Sequence, residues 1–127
     1  MPISQRVVQV CLFILAIIAL FGGVLQMVLG QPETTPRLDN LHRFLAGIYF
    51  GCGLIALWAA ISVRYQTTLI HLIALGVLCG GIGRLVSINA VGLPQPSHVW
   101  LGYLIPELVL PVIIIAAQLM TERRMKP

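Results

Sequence analysis

Two ionisable side chains, Arg84 and Glu107, stand well inside long apolar runs of this chain, where they can form a buried ion pair or hold a polar group in greasy surroundings. Arg84 precedes the turn residues near Val91 by about seven positions and Glu107 follows Trp100 by about seven, which sets each roughly 10 Å inside its run at 1.5 Å per residue. An isolated charge at such depth costs at least about 2.5–3.5 kcal/mol on insertion scales, so the two are expected to pair or to share a hydrogen-bonded network. Three roles are open to them. They can act as an interhelical clamp or form the charged floor of a polar pocket, or Arg84 can snorkel outward without meeting Glu107.

The pocket reading draws on neighbours. Asn40 and Arg43 are three apart and share a helix face, Tyr49 lies deeper on the same run, Ser87 lies about one turn above Arg84, and Tyr103 about one turn above Glu107. In that reading Arg84 holds an anionic group, Glu107 sets the arginine's orientation or accepts a proton, and the two tyrosines give hydrogen bonds. A small membrane enzyme would need Glu107 as an acid or base, and pairing with Arg84 argues against that role. No catalytic residue is assigned: the chain has no Ser-His-Asp set, Walker loop or dinucleotide-binding glycine motif. Metal and haem are disfavoured too. His42 and His98 lack ligand spacing, His71 has no histidine at its own depth, and Cys11, Cys52 and Cys79 fall singly in apolar runs, so no cofactor is expected.

The elements that must position these residues follow from composition. Of 127 residues, 58% are hydrophobic and 9% charged, and mean hydropathy is +0.96; such a chain cannot cover itself with polar groups in water. A soluble enzyme domain and a disordered tail are excluded. So is nucleic-acid binding by a basic patch, because the Lys and Arg residues are scattered except for Arg123, Arg124 and Lys126. Four apolar segments, roughly Val7 to Leu29, Phe44 to Val63, Leu69 to Ile88 and Leu101 to Met120, are each long enough to cross a bilayer and must be helical there. The expected fold is all-α: a single integral-membrane four-helix bundle over residues 1–127, running up-down-up-down.

Arg6, Arg64, Arg123, Arg124 and Lys126 then share one side, against Arg37 and Arg43 on the other. That bias puts both termini in the cytoplasm and the first and third loops, with Asp39, Asn40, His42 and His98, in the periplasm of an inner-membrane protein. The first span is too long for a signal-peptide core and reads as a retained anchor. The half nearer the termini carries little polar chemistry beyond His71.

Helix packing is expected at small-xxx-small faces: Gly47 with Gly51 on the second span, and Gly76 with Gly80 on the third, where Arg84 and Ser87 continue the same stripe. Pro106 and Pro111 are expected to bend the fourth span around Glu107. Membrane lipids are the expected surroundings. The candidate partners are a small amphipathic ligand for the pocket, or another membrane protein or a second copy docking on the glycine faces. The latter corresponds to a non-catalytic subunit or assembly factor in which Arg84 and Glu107 are a clamp.

The ordered combination of Leu38-Asp39-Asn40-Leu41-His42-Arg43-Phe44-Leu45-Ala46-Gly47, of Gly80-Gly81-Ile82-Gly83-Arg84-Leu85-Val86-Ser87 with Gly92 and Pro94, and of Pro106-Glu107 resembles a family of small bacterial four-span membrane proteins catalogued as a domain of unknown function. The resemblance covers nearly the whole chain. It implies the four-helix fold and adds interest to Asn40, Arg43, Gly47, Arg84, Ser87 and Glu107, while bringing no activity with it. A looser likeness to DoxX-type four-span proteins extends to size and layout only.

Overall fold

The computed structural model describes residues 1–126 and contains four long helices: α1 (Ile3–Leu29), α2 (Pro36–Ile61), α3 (Thr68–Val91) and α4 (Ser97–Met125). Each is long and apolar enough to cross a membrane, and no strand is present among the described residues.

The helices run further than the apolar segments alone suggest, because their ends are set by local chemistry. α1 stops at Gly30, whose φ of 64° is open to glycine and whose N–H bonds to the Gln26 carbonyl; α3 stops in the same way at Gly92, φ 91°, on the Ile88 carbonyl. α2 starts at Pro36, its missing N–H harmless in the first turn, with the Thr35 hydroxyl accepting from Leu38 N–H. Asp39, Asn40 and His42 therefore sit on the first turns of α2, and His98 belongs to the first turn of α4, where loops were expected. The second connection contains a short 3₁₀ turn, Val63–Tyr65, that buries Val63. α4 continues through Pro106 and Pro111 without a break.

α1 is the hub of the bundle. It packs along α2 and also against α4, α3 packs along α4, and α2 scarcely touches α3. The close approaches occur at glycines other than those of the expected faces. A Cβ on Gly23 would come within 2.9 Å of the Phe50 backbone nitrogen, one on Gly53 within 3.0 Å of Leu20 N, and one on Gly81 within 3.3 Å of the Glu107 carbonyl oxygen. Gly51, Gly76 and Gly80 have nothing within 4 Å of that position, and Gly47 has only the Met27 sulfur at 3.8 Å. The difference within this chain has a simple cause: one residue is 100° of helix rotation, so Gly81 faces α4 while Gly80 beside it faces the gap left between α2 and α3.

The dense core gathers at one end. Val8, Leu12, Ala59, Val63, Ile70 and Ile114, from the beginning of α1 and α3, the end of α4, and the end of α2 with its following turn, are almost wholly buried. Polar clasps bind the helices there. Ser4 and Thr121 hydroxyls lie 2.7 Å apart and Gln9 Nε2 donates to the Ala60 carbonyl. His71 Nε2 lies 2.8 Å from Glu122 Oε1, which also accepts from Gln118. This Ser4 end is thus richer in polar chemistry than the sequence suggests, which pointed to His71 alone.

Candidate functional site

Beside this core the four helices part around a cavity of about 870 Å³ that extends from it to the opposite end. It runs between α2 and α3 from Ser87 to Leu69, a length along α3 of roughly 27 Å at 1.5 Å per residue. The near absence of contact between α2 and α3 leaves its flank open.

Its charged centre is Arg84 with Glu107. Arg84 Nε donates to Glu107 Oε2 at 2.7 Å; the Glu107 side chain is buried and that of Arg84 about a third exposed, at 33%. Gly81 favours this approach, because a Cβ there would stand 3.3 Å from the Glu107 carbonyl oxygen, tighter than ordinary contact, one turn below Arg84. The guanidinium carbon stands 5.3 Å from the Tyr103 ring centroid and 5.9 Å from that of Trp100, within cation–π range of both. Carboxylate and two ring faces compensate a charge that hydrocarbon would otherwise reject. Among the described residues, no hydrogen bond uses the two terminal nitrogens of Arg84 or the second carboxylate oxygen of Glu107.

Tyr49, Ser87 and Tyr103 line the same cavity as Arg84 and Glu107, so five of the seven expected pocket residues are brought together. Gly22 of α1, which drew no notice in the sequence, seats both tyrosines: a Cβ there would meet the Tyr49 ring at 3.2 Å and the Tyr103 ring at 3.3 Å. Asn40 and Arg43 stand apart from the lining. Arg43 is drawn away by Asp39, one helical turn back at 2.9 Å, and by the Met27 carbonyl, and it covers Gly30; Asn40 is exposed on a different face of α2. The rim is formed instead by Gln26, Gln31 and His42, bonded in a row with His42 Nε2 to Gln26 at 3.1 Å and His42 Nδ1 to Gln31 at 3.2 Å. His42 and Gln26 fall on facing helices, a relation that spacing along one chain does not display.

The lining changes character along its length. Its polar groups stand at the His42 end, and the stretch from Ile55 and Ala56 to Leu69, Leu72 and Ile73 is apolar throughout. Gly76, Gly80 and Gly83 form a strip of the wall on α3 with no neighbouring atom against them. The arrangement can hold an elongated molecule with one polar end. No group of three or more metal-ligating side chains occurs among the described residues.

A family model described as a domain of unknown function (DUF4345) matches residues 6–118. No curated protein and no solved structure matches the chain.

Proposed function

Because this chain belongs to the DUF4345 family, a domain of unknown function, its role has to be read from its own geometry, and we propose that it is an inner-membrane protein binding a lipid-like amphiphile in the cavity between α2 and α3. The observation that carries the proposal is the polarity gradient: an ion pair and two tyrosines at one end of a long cavity, and hydrocarbon side chains at the other. The head group sits at Arg84, Glu107, Tyr49, Ser87 and Tyr103, and the tail extends toward Leu69 and Ile73.

In this reading the helices run up-down-up-down with both termini cytoplasmic and the cavity mouth toward the periplasm. The Lys and Arg bias supports that orientation, and the pairing of α1's end with α2's start, and of α3's end with α4's start, supports the alternation. The Ser4 end of the cavity carries no polar lining, which favours binding over passage of a polar solute.

The test is photolabelling in lipid vesicles with a lipid whose hexadecanoyl chain carries a terminal diazirine. The expected result is concentrated labelling of the α3 segment from Leu69 to Val77, much reduced by Arg84→Ala. Labelling spread evenly over the outward-facing side chains of all four helices overturns the proposal.

A second reading, a non-catalytic subunit or assembly factor using Arg84 and Glu107 as a clamp, is favoured by Gly51, which has open space on α2 where another helix can approach. It predicts a stable complex broken by Gly51→Leu and indifferent to Arg84→Ala.

A further inference from the structure

Resting on the binding reading above, we propose that the occupant is a membrane-resident amphiphile with an uncharged, oxygen-bearing head and one long alkyl chain, drawn sideways from the bilayer and seated on Gly76, Gly80 and Gly83.

The head follows from charge. Arg84 alone calls for an anion, but its charge is balanced by Glu107 at 2.7 Å. Adding an anionic head would leave one unbalanced negative charge in a site walled by apolar helices, which is unfavourable at low dielectric. A neutral ester, carbonyl or hydroxyl oxygen creates no imbalance. It accepts from the free terminal nitrogens of Arg84 or from the Tyr49 hydroxyl, and a hydroxyl on the head can donate to the second oxygen of Glu107.

The tail and the route follow from the wall. Gly76, Gly80 and Gly83 recur at steps of four and three and so form a strip on one face of α3. None has an atom within 4 Å of where a Cβ would stand, and all three line the cavity. Below them the wall is apolar to Leu69, and beside them α2 and α3 leave a seam open to lipid. A molecule already in the bilayer enters through that seam with its chain never crossing water. These glycines therefore determine chain length: a side chain at Gly80 occupies the tail's place without striking a neighbouring helix.

The experiment measures equilibrium binding of hexadecanoylglycerol, octanoylglycerol and hexadecanoate to the protein in maltoside micelles, for wild type, Gly80→Leu, Gly76→Leu and Arg84→Ala. Wild type is expected to prefer hexadecanoylglycerol to each of the other two by about tenfold, the equivalent of 1.4 kcal/mol. Gly80→Leu and Gly76→Leu should melt like wild type and lose the long-chain preference while keeping octanoylglycerol; Arg84→Ala should lose all three ligands. If the leucine variants, folded by their melting curves, keep the wild-type preference, the tail does not lie on the glycines, although the cavity still binds. If hexadecanoate binds more tightly than hexadecanoylglycerol, the uncharged head is wrong. No saturable binding to wild type, with Arg84→Ala behaving the same, overturns the binding reading itself.

Discussion

Arg84 and Glu107, set on different helices, meet at 2.7 Å one turn from Gly81, where α3 lies close against the Glu107 backbone. The pair joins α3 to α4 and at the same time presents unused donors and an unused acceptor to the cavity. A clamp and a binding floor make different demands on it. In a double-mutant cycle with Arg84→Met and Glu107→Leu, the coupling should be about 1 kcal/mol, toward the low side for contacting residues since Arg84 is partly exposed. The double variant should lose less than the two single losses added together, by that same amount, because no unpaired charge remains, yet hold no amphiphile. Reversible unfolding in mixed micelles measures the first quantity and ligand retention the second.

Glycines divide into those that join helices and those that leave space. Gly23→Ala sets a methyl against the Phe50 backbone and should destabilise the α1–α2 pair by about 1–3 kcal/mol. Gly51→Ala meets nothing and should change stability by no more than about 0.5–1 kcal/mol, in the favourable direction. Melting temperatures of the two variants side by side check the division.

How far the sequence reaches is visible in these same residues. Four helices and the meeting of Arg84 with Glu107 are legible because the cost of unsatisfied polar groups in lipid leaves a single chain few alternatives. Which face of a glycine-rich helix meets its neighbour is not legible: Gly80 and Gly81 differ by one step of rotation, and only the position of α4 decides between them. Likewise Arg43 looks like a pocket residue until Asp39, one turn away, takes its guanidinium, and His42 looks like a solvated loop residue until Gln26 of α1 is found opposite. The cavity itself arises where α2 and α3 fail to pack, and that leaves no mark in either segment alone.

At the closed end, Thr121 donates its hydroxyl to the Ala117 carbonyl, so the Ser4 hydroxyl is the donor in the Ser4–Thr121 bond. Thr121→Val removes the acceptor and leaves the buried Ser4 donor unmet, at a cost of about 1–3 kcal/mol. Chemical denaturation in micelles measures the loss, and Ser4→Ala in the same background should restore most of it.

The cysteines report on occupancy. Cys52 lines the cavity, Cys79 is exposed without lining it, and Cys11 is buried in the core. With a membrane-permeant maleimide, hexadecanoylglycerol should slow modification of Cys52 severalfold and leave that of Cys79 unchanged, while Cys11 stays unmodified. Mass spectrometry of the digested protein resolves the three sites; equal protection of Cys52 and Cys79 would point to a general lipid effect.

If the cavity holds a molecule through Arg84, native mass spectrometry of the protein released from mild detergent, run beside Arg84→Ala, will detect it. A retained small molecule of a few hundred daltons is expected on the wild-type chain and none on the variant. A bare wild-type chain, or the same adduct on both proteins, rules out retention through Arg84.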